Sequence, residues 1–317
     1  MYAIGVDLGG TKTAAGVVSA EGRVLFQETI PTLNRDGGDA ILDATAALAA
    51  RLRDRAADAG ITVACVGVGS AGVIDAARGV VVSATDAISG WAGTALTAGL
   101  AARLGLPPSS VRAVNDVHAH ALGEAWTGAA SNTATSLLVA FGTGVGGSFV
   151  VDGRPVLGQR YAGGHVGHFA SPYAGHNGRP LPCVCGGSGH VEAIASGPAV
   201  LDAYLRSGGT APASDARAVF ALASGGDATA AGVVRTAAAA AGQAVGGLAN
   251  ILDPGVVVVS GGLAGAGALW WEPMQAALRS ELLPALHGLA VVPAMLGNAA
   301  AIVGAARLVT TPLSYQS

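Results

Sequence analysis

A short apolar run, Tyr2-Ala3-Ile4-Gly5-Val6, ends in Asp7-Leu8-Gly9-Gly10-Thr11-Lys12. No other stretch constrains the chain as tightly. The run predicts a strand, and the glycines and threonine turn the chain back. Glycine permits close backbone approach and positive φ. Backbone N–H groups in such a turn form a concavity for an anion. Asp7 is placed to hold a hydrated Mg²⁺ beside a bound phosphate, and Thr11 and Thr13 add hydroxyl donors. Alone, the stretch would read equally well as a tight hairpin. A second copy argues otherwise: Phe141-Gly142-Thr143-Gly144-Val145-Gly146-Gly147 follows another apolar run, Ser136 to Ala140. Two such units predict a duplicated nucleotide-binding fold that holds one phosphate chain between its halves.

A length of 317 residues suits two domains with a large core. Hydrophobic residues make up 51% and charged residues 12%, with alanine and glycine supplying the excess. No apolar stretch of about 18 residues lacks polar breaks, so no transmembrane helix is expected. The Ala-rich segment 237–252 carries Gln243 and Asn250 and reads as a buried helix. No basic region precedes the first apolar run, which argues against a signal peptide. Net charge is −3 without a Lys/Arg cluster, which argues against a nucleic-acid partner. Cys65 lies in an apolar run, while Cys183 and Cys185 are close together and point to metal rather than a disulfide. A reducing, cytoplasmic location fits, with no membrane partner.

Strands are expected at about 2–7, 13–19 and 23–29, then a helix over 39–59 and a buried strand from Val63 to Val68. A helix over 94–104 precedes a strand from Val111 to Val114, which delivers Asn115-Asp116 to a helix ending near Trp126. The second half repeats the scheme with strands at 136–141, 146–151 and 154–157 and a long helix over 227–252. Asp253-Pro254-Gly255 stops that helix, and Val256 to Val259 suits the middle of a sheet. The segment from Ala299 to Leu308 reads as a closing helix. Between these lies an irregular insert, 158–192, of the kind that is usually functional or stapled by metal.

Asp116 follows an apolar strand and opens a helix. It can be an N-cap, or a general base beside a hydroxyl substrate, with Asn115 as an orienting donor. Phosphoryl transfer asks mostly for positioning and charge stabilisation, with an Asp accepting the hydroxyl proton. The insert carries Gly167-His168 and then Cys183-x-Cys185-Gly186-Gly187-x-Gly189-His190-x-Glu192. His168, Cys183, Cys185 and His190 are the ligand types of a tetrahedral structural zinc; four unrelated polar-loop residues are the alternative. Gly261-Gly262, after the strand at Val256, would lie against adenosine in a duplicated kinase fold.

Together these residues resemble the ROK family of bacterial sugar kinases and repressors. The matching pieces run from Asp7 to about Arg307. They are Asp7-Leu-Gly-Gly-Thr-Lys12, Gly67-Val-Gly-Ser-Ala-Gly72-Val-Ile-Asp75, Asn115-Asp116, Gly142-Thr-Gly-Val-Gly-Gly147, Gly167-His168, the Cys183–Glu192 turn, Asp253-Pro254 with Gly261-Gly262, and Gly304-Ala305-Ala306. The resemblance implies an α/β, two-domain, actin-like ATPase (ribonuclease H-like) fold with an interdomain active-site cleft. Residues 1–117 and about 299–317 would form the N-terminal domain, and 118–298 the C-terminal domain with the insert. ATP, Mg²⁺ and a structural Zn²⁺ are the implied cofactors, and a homo-oligomer, dimer or tetramer, is the implied assembly. Asp116 is the implied catalytic base. Gly72, Asn115, Asp116, His165, His168 and Glu192 would meet the sugar. Asp7, Gly9, Gly10, Thr11, Lys12, Thr13, Gly142, Thr143, Gly144, Gly261 and Gly262 would meet ATP and Mg²⁺.

Two departures bear on specificity. His190 stands where most family members carry Cys, which keeps a Cys₂His₂ ligand set. His165 stands where glucose kinases of the family usually carry Glu. A carboxylate only accepts, whereas neutral imidazole also donates. A donor suits an acyl oxygen at C2, and N-acetylmannosamine kinases of the family share this His and a run like Glu192-Ala-Ile-Ala-Ser-Gly197. The expected reaction is therefore phosphorylation of a hexose or N-acyl-hexosamine at the 6-hydroxyl, N-acetylmannosamine first and glucose as the alternative. A non-catalytic sugar sensor or repressor-like protein is the remote alternative. Repressors of the family place a DNA-binding segment before the first turn, which here begins at residue 7.

Overall fold

The computed structural model describes residues 1–85 and 87–311. The chain forms two compact units. The first comprises Met1–Ala134, Val150–Gly163 and the described residues from Ala294 onward; the second comprises Thr135–Phe149 and Gly164–Pro293.

In the first unit the strands are β1 (Tyr2–Leu8), β2 (Lys12–Val18) and β3 (Val24–Pro31), followed by helix α1 (Gly38–Asp58). Strands β4 (Val63–Ser70), β5 (Val73–Asp75) and β6 (Val80–Ser83) lead to α2 (Leu96–Leu104), β7 (Val111–Asn115) and α3 (Asp116–Thr127). The main sheet has the order β3-β2-β1-β4-β7. Its β1, β4 and β7 run parallel, while β2 and β3 fold back antiparallel. Helix α1 covers the sheet with Ile41, Leu42, Thr45, Leu48, Ala49, Leu52 and Ala56, which recur every three or four residues.

In the second half the elements are β8 (Thr135–Phe141), β9 (Val145–Val151) and β10 (Arg154–Pro155), then the short hairpin β11 (Gly175–His176) and β12 (Arg179–Pro180). Helices α4 (Glu192–Ala195), α5 (Gly197–Arg206), α6 (Ala216–Ser224) and α7 (Ala228–Leu252) precede β13 (Val256–Ser260), α8 (Ala268–Glu281), β14 (Ala290–Pro293) and the closing α9 (Ala300–Thr310). The second sheet has the order β10-β9-β8-β13-β14, with β8, β13 and β14 parallel. That is the order of the first sheet, element for element, so the duplication read from the two glycine turns holds at the level of topology.

The expected boundary at 117/118 moves. Helix α3 and the turn after it stay in the first unit, because α3 packs on α9 almost backbone to backbone. A Cβ on Gly304 would fall on the Ala119 carbonyl, and one on Gly123 would fall on the Ala300 carbonyl. On the sheet side, Gly5 and Gly67 admit the carbonyls of Ile302 and Ala305 in the same way. The insert is also divided: 158–163 belong to the first unit and the rest to the second. Leu157 explains this, since it is buried with Val114, Leu122 and Ala305.

Helices α4, α5, α6 and α8 and strands β5, β6, β11, β12 and β14 lie where no element was expected. Helix α8 carries Pro273 inside it, which removes one helical hydrogen bond and hides the pattern. It is held by packing instead: Trp270 is fully buried, its ring meeting Phe141 edge-on at 5.5 Å. Among the described residues, no helix is long and apolar enough to cross a membrane.

Candidate active site and metal centre

Within the first unit, the parallel strands β1, β4 and β7 end side by side. Asp7 pairs with Gly69, which pairs with Val114; Leu8 pairs with Ser70, which pairs with Asn115. Ligands of open α/β sheets bind off the carboxyl ends of such strands. Gly69 is required there, because a Cβ would come within 2.6 Å of the Ala119 Cβ. Asp116 begins α3 immediately after the strand. The N-cap, however, is Asn115, whose side chain accepts from the Val117 N–H at 2.9 Å. Asp116 also accepts from that N–H at 2.9 Å. The capping alternative for Asp116 therefore passes to its neighbour. The Asn115 Nδ2 donates to the Gly72 carbonyl at 2.9 Å, and Gly72 sits at φ 98° in a turn that favours glycine.

The Asp7 carboxyl is pushed up to about 6, first by burial and then by the Asp116 carboxylate; Lys12 opposes this. Two carboxylates near enough for Asp116 to raise Asp7 offer hard oxygen donors that fit a divalent cation such as Mg²⁺.

The first glycine turn differs from its expected form. Neither Gly9 nor Gly10 has a positive φ. The turn is held by the Gly9 N–H on the Lys12 carbonyl at 3.1 Å and by two residues from the end of β3 and beyond it. The Thr32 hydroxyl donates to the Gly9 carbonyl at 2.8 Å, and the Asn34 Nδ2 donates to the Gly10 carbonyl at 2.7 Å. Thr13 does not face a phosphate: it is buried and its hydroxyl bonds the Thr32 hydroxyl at 2.9 Å. Thr11 and Lys12 are exposed and available to a ligand. Thr32 and Asn34 escaped the sequence reading because nothing local marks them; their partners in the turn, Gly9 and Gly10, are 23 and 24 residues away.

In the second unit, β8 and β13 end together, with Ala140 paired to Ser260. The Gly142-Thr143-Gly144 turn and the Gly261-Gly262 turn therefore emerge side by side. Gly261 has φ 90°, and a Cβ there would collide with the Phe141 backbone. Gly142 donates to the Gly144 carbonyl at 2.9 Å and accepts from the Gly197 N–H at 2.8 Å. Thr143 is exposed. Glu192, at the start of α4, accepts from the Val145 N–H through Oε2 at 2.7 Å.

The four expected metal ligands come together in this unit. Their donor atoms, from His168, Cys183, Cys185 and His190, all lie within 4.8 Å of one another. Cys183 Sγ is 3.6 Å from His168 Nδ1, and Cys185 Sγ is 3.2 Å from His190 Nδ1. Zinc bonds of roughly 2.0–2.3 Å in a tetrahedron set donors about 3.3–3.8 Å apart. The residues present thus fit a zinc ion with four protein ligands and no open position. The loop between them is tight: Gly186 N–H bonds the Cys183 carbonyl at 3.0 Å, and Gly186 and Gly189 take φ 86° and 74°. His165 stacks on His168 at 6.1 Å between ring centroids and is exposed.

Glu124 is a further residue that the sequence reading missed. It is a buried acid that accepts from the Ala129 N–H at 2.8 Å, the Leu296 N–H at 2.8 Å and the Met295 N–H at 3.0 Å. The signal was a lone acid on the apolar face of α3, between Gly123 and Ala125.

The model of the ROK family matches residues 3–311. The chain is 32% identical to a glucokinase of Thermotoga maritima, over 96% of each protein. It is 31% identical to an N-acetyl-D-glucosamine kinase of Shigella boydii, over 96% of this chain and 98% of that one. Its structure superposes on a ROK family glucokinase from Streptomyces griseus, solved with glucose and AMPPNP, with a TM-score of 0.80 at 31% identity, covering 97% and 99% of the two chains. The two-sheet architecture is that of these kinases, an actin-like ATPase fold, and the chain belongs to the ROK family.

Proposed function

We propose that this protein, an ATP-dependent sugar kinase, phosphorylates the 6-hydroxyl of a hexose or N-acyl-hexosamine, with N-acetylmannosamine as its best substrate. The observation that carries the phosphotransfer is the row of strand ends bearing Asp7, Asn115 and Asp116. Asp116 takes the proton from the 6-hydroxyl as that oxygen bonds to the γ-phosphorus and the bond to the β-phosphate oxygen breaks. Asn115 uses one amide hydrogen on Gly72 and has a second for the sugar. The Gly9 and Gly142 N–H groups close the two glycine turns, which leaves those of Gly10 and Thr11 and of Thr143 and Gly144 for phosphate oxygens, with Lys12 beside them. Gly261 and Gly262 line the adenosine side. Asp7 would hold Mg²⁺, which when bound neutralises charge on the phosphates.

His165, His168 and Glu192 contact the sugar. His168, Cys183, Cys185 and His190 hold a structural zinc, which would fix His168 for that contact. The cysteines stay reduced in a cytoplasmic setting, and the protein works as a homo-oligomer. His165 favours N-acetylmannosamine, because it can donate to an acetyl oxygen at C2. Glucose is the second reading, favoured by the 32% identity to a glucokinase. A coupled assay of ADP release with N-acetylmannosamine, N-acetylglucosamine, glucose, mannose and allose tests the reading. Sugar-dependent turnover is expected; its absence across the panel contradicts it.

A further inference from the structure

Glu192, which the proposed reading gives to the sugar, also lies against the second glycine turn. Its Oε2 accepts from the Val145 N–H at 2.7 Å, directly after the Gly142-Thr143-Gly144 turn. A Cβ on Gly144 would stand 2.7 Å from the same oxygen, so the carboxylate lies flat against the turn. The other edge of the turn is held from the same stretch of chain, by the Gly197 N–H on the Gly142 carbonyl at 2.8 Å. Both fasteners follow His190 within seven residues. The Val191 N–H ties this stretch back to the Phe169 carbonyl at 3.1 Å, next to His168.

The geometry points to Glu192 as the positioning residue for the second phosphate turn, so that its loss weakens ATP binding as well as sugar binding. A carboxylate accepts at both oxygens. Glu192 can hold the turn through Oε2 and take a sugar hydroxyl through Oε1 at once. The bond to Val145 is charge-assisted and therefore among the stronger kinds. Without it the Val145 N–H loses its acceptor and the turn its brace. The inference rests on the reading that this turn meets ATP phosphates.

The test is calorimetric binding of Mg–AMPPNP to the full chain without sugar, in wild type, Glu192→Gln and Glu192→Asp, with melting curves to confirm folding. Gln keeps an acceptor of the same reach, while Asp is one methylene too short. Binding by Glu192→Asp is expected to weaken about tenfold, the scale of one lost hydrogen bond to a charged group. Glu192→Gln is expected to stay within about threefold of wild type, although its KM for sugar rises. Equal affinity in all three proteins would overturn the inference and leave Glu192 a sugar contact only. Equal weakening in Gln and Asp would also overturn it, because the acceptor geometry would then not matter. No nucleotide binding by wild type would instead overturn the kinase reading beneath it.

Discussion

The Asn115 side chain spans from the Val117 N–H to the Gly72 carbonyl, with both bonds at 2.9 Å. One residue thus caps α3 and pins the turn after β4, which leaves Asp116 beside it fixed at the head of the helix. The Asp116 carboxylate is also felt by Asp7, whose carboxyl it helps to raise.

Asp116→Asn should fold normally and lose most of its turnover. Removing a general base typically costs about 10²–10⁴-fold in rate. Steady-state kcat with ATP and the preferred sugar is the measurement, and sugar affinity should change little. A variant retaining more than about a tenth of wild-type kcat would assign the proton to another group.

Cys183→Ser should lose zinc and melt at a lower temperature, since metal binding to a folded site contributes directly to folding. Elemental analysis of wild type should return one zinc per chain. Activity should fall too, because the proposed reading gives His168 to metal and sugar together. A fully active, metal-free wild-type preparation would remove the zinc site from the account.

Glu124→Ala should destabilise the fold by about 3 kcal/mol, because it removes the acceptor of three partly buried backbone N–H groups, each bond worth roughly 1 kcal/mol. Glu124→Gln keeps an acceptor and should lose less. Denaturant midpoints at constant slope would show the order.

Asp7 gives the metal-free protein a pH dependence of defined sign. Its folded pKa of about 6 lies above its ordinary value of 3.8, so the folded state binds the proton more tightly. Stability should therefore fall as pH rises from about 4 to about 6, by up to about 3 kcal/mol, and level off above. Asp7→Asn should lack that decline. Melting curves in chelator from pH 4 to 8, with the two proteins compared, would show whether this part of the slope belongs to Asp7.

Much of this was legible because it is written locally. The strands ending at Leu8 and Phe141 are short apolar runs closed by glycine turns, and the four candidate metal ligands fall within 23 residues of one another, from His168 to His190. What escaped depends on pairings across the chain. Thr32 and Asn34 brace Gly9 and Gly10 from beyond β3, and Thr13 turns inward to meet Thr32 instead of facing solvent. Helix α8 was hidden by Pro273, and the domain boundary by Gly123 and Gly304, whose value lies in a missing side chain. The exposure of His165 could not be read from its neighbours in the sequence.

One competition experiment addresses the central claim. Equimolar N-acetylmannosamine and glucose are offered to the enzyme with Mg–ATP, and the sugar phosphates formed are followed by phosphorus NMR, in wild type and in His165→Glu. The account predicts that N-acetylmannosamine 6-phosphate accumulates first in wild type, and that the preference narrows or reverses in His165→Glu. Faster formation of glucose 6-phosphate by wild type would contradict the substrate assignment, and no phosphate ester from either sugar would contradict the proposed phosphotransfer to these sugars.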